Sequence, residues 1–366
     1  MSGTFSGAII DVAHSLGMEY HSVLNRCNTT AEQMKEDEAK FNIRMHHADI
    51  ARSPLSKSNI KAYKQLVKII RDEKIDYIHC NTPVGGILGR LAGKKCNVKK
   101  VIYQAHGFHF YKGAPKKNWL LYYPVEKFLA HYTDALITIN SEDFELAKNK
   151  LKLRGGGKVY YVPGVGIDTA QFNVEENLRE KKRTELNIPS DAFVLVSAGE
   201  LNANKNNRVI LSALEQLKQK NIHYVICGVG DLEVGLRKQV DNAGLQDNVH
   251  FLGYRNDVKE LYAMADCFVM PSYREGLSRS IMEAMASGLP CIVSKIRGNT
   301  DLVEHGENGF TCPAADAQAF ADSIMQLASD RTLRFGMQKN NLEKIKNYDV
   351  SVVEQKMREI YSDVLV

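Results

Sequence analysis

Short apolar runs alternate with stretches of helical spacing along most of the chain. In the first half, residues 20–24, 77–79, 100–104 and 135–139 read as strands, while residues 58–74, 117–131 and 142–151 place apolar side chains three and four apart, the period of an amphipathic helix. The second half repeats the alternation. Strands are expected at 193–197, 223–227, 249–251, 267–270 and 291–294, and helices at 208–220, 231–243, 258–264, 279–287 and 316–329. Strands separated by helices pair in parallel, so the pattern predicts an α/β fold of two open units. Pro163, Gly164 and Gly166 punctuate the chain between them, and a charged helix over 178–186 follows. The boundaries drawn are 1–165 and 166–351. The final stretch, 352–365, reads as an amphipathic helix with no strand after it and could pack on either unit.

A length of 366 residues suits two domains, and 44% hydrophobic with 25% charged residues excludes disordered and low-complexity classes. No apolar run is long enough to span a membrane as a helix. Met1-Ser2-Gly3-Thr4 begins without a basic or apolar leader, so no secretory signal is expected. The cysteines, Cys27, Cys80, Cys96, Cys227, Cys267, Cys291 and Cys312, are odd in number and scattered without a C-x-x-C pair. They point to a reducing cytosol and not to disulfides or zinc. Charge divides the chain. Residues 1–170 carry 25 basic against 16 acidic residues and the remainder 23 against 27, giving the net +5. A basic first half can meet phosphates, anionic lipid or nucleic acid, or can simply be solvated helix faces.

In open α/β sheets the chemistry gathers in loops beyond the carboxyl ends of the strands. Three such loops stand out. Glu275-Gly-Leu-Ser-Arg-Ser-Ile-Met-Glu283 leads from a strand into a helix. Free amides at the helix start bind anions, and two carboxylates eight residues apart can accept hydrogen bonds from vicinal hydroxyls of one ligand. The bland alternative is a cap charge and a helix-face charge. Lys205, after the strand at 193–197, can meet a diphosphate as a point charge or be a solvated lysine. His106, after the strand at 100–104, is catalytic or structural, with His109 a second candidate. Lys112, Lys116 and Lys117, near Trp119, Tyr122 and Tyr123, form a basic aromatic stretch that suits an anionic membrane or lipid carrier, or a solvated helix. Gly228 and Gly230 make only a tight turn, not a dinucleotide fingerprint.

The E-x7-E segment, with Gly288-Leu-Pro-Cys-Ile-Val-Ser294, Gly298-Asn-Thr-Asp-Leu-Val303 and Gly306-Glu-Asn-Gly-Phe310 after it and Phe251-Leu-Gly-Tyr254 before it, resembles retaining family 4 glycosyltransferases of the GT-B fold, in particular bacterial enzymes of capsular, exopolysaccharide and lipid-linked glycan synthesis. The resemblance covers nearly the whole chain. It implies two Rossmann-like domains facing a cleft, with the last helix crossing back onto the first. It implies that Glu283 binds the donor ribose and that Glu275 contacts the donor sugar near the anomeric centre. Gly276, Leu277, Ser278 and Arg279 then hold sugar and phosphate through backbone amides, Lys205 holds the diphosphate, and Tyr254 and Arg255 lie beside the base. His106 faces the sugar. Two departures are visible. Glu200 stands where the family has a basic residue, and the first strand of the N-terminal sheet, central in the family, is missing ahead of Ser2-Gly3-Thr4-Phe5-Ser6-Gly7.

The expected activity is transfer of a hexose or N-acetylhexosamine from a nucleotide-sugar, most simply a UDP-sugar, to a saccharide or polyprenyl-linked acceptor. No cofactor, metal or nucleic acid is expected, and the setting is cytoplasmic or peripheral on the inner membrane face. A GT-B-like UDP-sugar 2-epimerase and a catalytically silent sugar-nucleotide binder are the alternatives.

Overall fold

The computed structural model describes residues 7–25, 30–172 and 178–365. The chain divides into two compact units, residues 1–165 with 350–366, and residues 166–349. In chain order the first unit holds α1 (Gly7–Ser15), β1 (His21–Leu24), α2 (Ala31–Phe41), β2 (Arg44–His47), α3 (Ser58–Asp72), β3 (Tyr77–Asn81), α4 (Pro83–Cys96), β4 (Lys100–Ala105), α5 (Lys116–Ala130), β5 (Ala135–Thr138), α6 (Ser141–Lys150) and β6 (Lys158–Tyr161). The second holds α7 (Leu178–Glu185), β7 (Phe193–Ala198), α8 (Asn207–Leu217), β8 (Ile222–Cys227), α9 (Glu233–Ala243), β9 (Val249–Gly253), α10 (Val258–Met264), β10 (Cys267–Met270), α11 (Arg279–Ala286), β11 (Cys291–Ser294), α12 (Asn299–Leu302), β12 (Gly309–Cys312), α13 (Ala317–Ser329) and α14 (Arg331–Lys344). The last helix, α15 (Val350–Leu365), belongs to the first unit.

The second unit is one parallel sheet in the order β12-β11-β10-β7-β8-β9. Val194, Val196, Phe268 and Met270 face one core with Ile281, Met282 and Met285 of α11. Leu195, Tyr224, Ile226 and Val269 face the other with Val209 and Ile210 of α8 and Phe320 of α13. Burial on both faces is why these strands are nearly continuous apolar runs and easy to read.

The first unit carries a four-stranded parallel sheet, β3-β4-β5-β6, and a separate parallel pair, β1-β2. Both share a core: Val23 of β1 packs in the cluster that holds Ala48, Leu66, Cys80 and Val101. Their hydrogen-bond ladders are nevertheless not joined among the described residues. β1 is only half-buried along its length and β3 nearly so, whereas β5 is fully buried. Among the described residues the strands of this unit therefore form a sheet in two parts.

Helix α4 lies close on β3 and β4. Thr82 caps it by accepting from the Gly85 amide, Pro83 starts it, and Asn97 ends it in the left-handed region. A Cβ on Gly86 would stand 2.4 Å from the Tyr103 ring, so glycine is required for this approach. Helix α15 joins Ile102, Ala135 and Ile137 through Val353, Met357, Ile360 and Tyr361. Asp363 accepts from Lys158 Nζ at 2.8 Å and from Tyr160 Oη at 2.5 Å.

Three strands escape the apolar-run reading: β2, β6 and β12. All three are sheet edges, where one side lacks a strand neighbour and the run is short. Helix α4 escapes it because four glycines interrupt its period, and α2 because Met34 is its one buried residue. The six described cysteines are unbridged, and Cys27 lies outside the described residues.

The divided sheet has a measurable consequence. Strands with partners on one side open more readily than those inside a buried sheet. Native-state hydrogen exchange is therefore expected to be faster for the amides of β1 and β3 than for those of β10; equal protection would show that the division does not weaken the first unit.

Candidate active site

In the second unit the strand order reverses beside β7, whose neighbours β8 and β10 lead away in opposite directions. That switch point, beyond the carboxyl ends of β7 and β10, is where open α/β sheets bind ligands. Two loops meet there. The Tyr273 amide donates to the Asn204 carbonyl at 2.8 Å, Asn204 Nδ2 to the Arg274 carbonyl at 2.9 Å, and Asn206 Nδ2 to the Pro271 carbonyl at 3.1 Å. Across the same seam Lys205 Nζ donates to Glu275 Oε1 at 2.8 Å. Both side chains are mostly buried, and Nζ also lies 3.8 Å from Met270 Sδ.

The loop after β10 then enters α11. Ser278 is the N-cap, its Oγ accepting from the Ile281 amide. The amides of Arg279 and Ser280 occupy the first turn, where helix N–H groups lack carbonyl partners within the helix. One turn on, Glu283 Oε1 accepts from Arg279 Nε at 2.8 Å, and Oε2 from Tyr262 Oη at 3.4 Å. Burial raises the Tyr262 hydroxyl well above its usual range, with Glu283 adding to the effect, so the phenol stays a donor. The backing loop comes close. A Cβ on Gly298 would stand 2.2 Å from the Gly276 carbonyl, and its φ of +76° lies in the left-handed region.

Glu275 and Lys205 are therefore brought together, as are Glu283 and Arg279, with Gly276, Leu277 and Ser278 between the two pairs. Tyr254 and Arg255 follow β9, on the far side of β8. Tyr254 is exposed, but Arg255 is held by Asp257 at 2.7 and 2.5 Å, with Glu185 3.5 Å away. Glu200 is exposed and accepts from Asn202 Nδ2 at 2.9 Å. His106, in the first unit, sets Nε2 3.3 Å from Asn81 Oδ1. Burial lowers its pKa to about 4, which keeps the ring neutral near pH 7. Beside it His79, bonded through Nδ1 to Tyr361 Oη at 2.7 Å, is likewise lowered to about 4 by burial and by His106, against a contribution from Gln104.

The sequence reading missed Asn204 and Asn206, which stitch the two loops, and Tyr262 and Asn81, which orient Glu283 and His106. The run of asparagines from Asn202 to Asn207 was a usable signal, since Asn tolerates left-handed backbone and Asn206 has φ +54°. Nothing in the sequence pointed to Tyr262, which reads as an ordinary core residue.

The profile of "Glycosyl transferases group 1" matches residues 178–344, and that of "Glycosyl transferase 4-like" domains matches residues 4–140. The protein named as glycosyltransferase EpsD in Bacillus subtilis is 39% identical over 318 residues, which are 86% of this chain and 83% of that protein. The chain belongs to the group 1 glycosyl transferases. The UDP-Gal:alpha-D-GlcNAc-diphosphoundecaprenol alpha-1,3-galactosyltransferase of Escherichia coli is 31% identical, over 84% of this chain and 80% of its own. Among solved structures, Anabaena HepE in complex with UDP superposes with a TM-score of 0.81 at 21% identity, covering 99% of this chain and 97% of that one. A sucrose-phosphate synthase of Thermosynechococcus elongatus gives 0.77 at 18% identity, over 97% and 91%. These likenesses give this glycosyltransferase the GT-B fold, with two Rossmann-like domains.

Because His79 and His106 stay neutral in the folded glycosyltransferase, the unfolded chain binds more protons below the ordinary histidine pKa of 6.5. Stability is then complete above that value and is lost as pH falls toward about 4. Thermal unfolding followed over this window should show a falling Tm, and His79→Gln should flatten the fall. A Tm independent of pH there would contradict the burial of these rings.

Proposed function

We propose that this enzyme transfers a hexose or N-acetylhexosamine, with retention, from a UDP-sugar to a saccharide carried on a polyprenyl diphosphate. One observation carries the donor half. The mouth of the switch point presents Lys205, the start of α11 and two carboxylates, each already held by a cation. A diphosphate entering there exchanges for Glu275 at Lys205. It gains a point charge and the α11 amides, and it releases Glu275 to accept hydrogen bonds from the sugar. Glu283, braced by Tyr262, serves the ribose hydroxyls. Tyr254 serves the base, and Arg255 steadies that loop through Asp257. His106 serves the sugar as a neutral hydrogen-bonding ring.

As the glycosidic bond to phosphate breaks, charge develops on the diphosphate, and Lys205 with the α11 amides stabilises it in place, so no metal is needed. The acceptor hydroxyl attacks on the leaving-group face, and a diphosphate oxygen takes its proton. Glu275 orients the sugar and forms no covalent bond. This assigns the donor to the second unit and the acceptor to the first. The lipid-linked acceptor is supported by the named substrate of the Escherichia coli relative and by the exposed Lys112, Lys116 and Lys117, which suit an anionic membrane face. No helix among the described residues is long and apolar enough to cross a membrane, so the contact proposed is peripheral.

Glu200 gives some support to a sugar-nucleotide binder without turnover, because an exposed acid in the loop after β7 opposes a diphosphate. Hydrolysis of UDP-sugars by the purified protein separates the two readings. For the enzyme, Glu283→Ala is expected to weaken UDP binding by about 1–3 kcal/mol, the scale of a lost hydrogen bond to a charged group. Glu275→Ala should mainly lower turnover. Calorimetry that finds UDP affinity unchanged in Glu283→Ala would remove the ribose assignment.

A further inference from the structure

Helix α5 is apolar on its outer face as well as its inner one. Its one acid, Glu126, is buried, while Leu120, Leu121, Val125 and Phe128 are 77, 61, 43 and 56% exposed. At 100° per residue, Leu120, Leu121, Pro124, Val125 and Phe128 fall within an arc of about 140°. Glu126, Leu129 and Ala130 lie on the opposite side with the partly buried Trp119 and Tyr123. The inward face combines the apolar packing of Leu129, Ala130, Trp119 and Tyr123 with a buried ion pair. Glu126 takes a two-pronged hydrogen bond from Arg90, whose guanidinium lies 3.9 Å over the Tyr103 ring. Trp119 Nε1 donates to the Tyr111 carbonyl at 3.1 Å and its ring meets Phe110 edge-on.

An exposed apolar ridge of this size is a surface that expects a partner. The charges around it say which. Lys112, Lys116, Lys117 and Lys127 are all exposed at its margin, and between His106 and Thr133 the sole acid is Glu126, spent on Arg90. Apolar side chains within a fringe of lysines, with the partly buried Glu142 against the Lys112 amide at one end, match an anionic bilayer, whose headgroups attract the lysines and whose acyl boundary takes the ridge.

We propose that α5 is a membrane-insertion element that lies in the plane of an anionic lipid surface with Leu120, Leu121, Pro124, Val125 and Phe128 in the acyl boundary. It deepens the reading of a lipid-linked acceptor and rests on that reading only for its purpose. The attachment has two parts, an electrostatic one that salt screens and an apolar one that salt leaves intact.

The test uses the full chain, without acceptor, and vesicles of phosphatidylcholine with or without phosphatidylglycerol. Trp119 is the single tryptophan of the chain, so brominated lipid that quenches its fluorescence reports α5 at the bilayer. The expected result is co-sedimentation with the anionic vesicles, quenching of Trp119, and a residue of binding that persists in high salt. Leu121→Ser with Phe128→Ser should lower partitioning by about tenfold or more, at unchanged UDP affinity, while Leu121→Phe keeps it. The triple alanine variant of Lys112, Lys116 and Lys117 should lose the salt-sensitive part alone. Vesicle binding untouched by the double serine variant would overturn the proposal. So would a dimer in sedimentation velocity that the double variant dissociates, which would make a second copy the occupant. UDP binding lost in every sample, wild type included, would instead count against the transferase reading.

Discussion

In a parallel sheet every connection returns across a face before the next strand begins, so all strands end on one edge and their loops accumulate there. The second unit obeys this throughout: six parallel strands, cores on both faces, and an order that turns back beside β7. The reversal sends the chain away from the β7/β10 junction on both sides and leaves a crevice that neither neighbouring connection covers. Lys205, Glu275 and the start of α11 stand together because they are the continuations of β7 and β10. Residues seventy apart in sequence thus become partners at 2.8 Å.

The charges of the site are paired within the protein. Each motif carboxylate has a cation against it, and each loop is sewn to the other through asparagine amides and backbone carbonyls. A mostly buried carboxylate without a partner would be costly, and the pairs avoid that cost without a ligand. They also set a condition on entry, since a ligand that displaces Glu275 from Lys205 must offer the lysine an anion and the carboxylate a set of hydroxyls. A nucleotide-sugar offers both; inorganic phosphate offers only the first.

How much of this was legible in the sequence follows from where each feature draws its stability. Strands buried on both faces, such as β7, β8 and β10, announce themselves as apolar runs. The edge strands β2, β6 and β12 and the glycine-rich α4 do not, because their fit depends on neighbours that the local sequence does not contain. Lys205, Glu275 and Glu283 were readable from their motif and the loop positions it implied. Their pairing was not, since it depends on the register of two loops. The same holds for Arg255, which the sequence placed beside a base and which the structure ties to Asp257. The lysines around the start of α5 were visible as a basic stretch. The burial of Glu126 was not, because Arg90, which takes it inward, comes from α4, thirty-six residues earlier.

The return of α15 has a bearing on biosynthesis. The core cluster around Ile102, Ala135 and Ile137 is finished by Val353, Met357, Ile360 and Tyr361, which follow the whole second unit along the chain. At 5–20 residues per second, synthesis of the intervening second unit takes roughly 10–40 s. Throughout that interval the first unit holds an apolar groove with its native cover still unmade. The second unit, continuous in sequence, can complete its own core first. The first unit therefore closes after the second although it is made before it, and it is the natural client of any chaperone waiting at the exit tunnel.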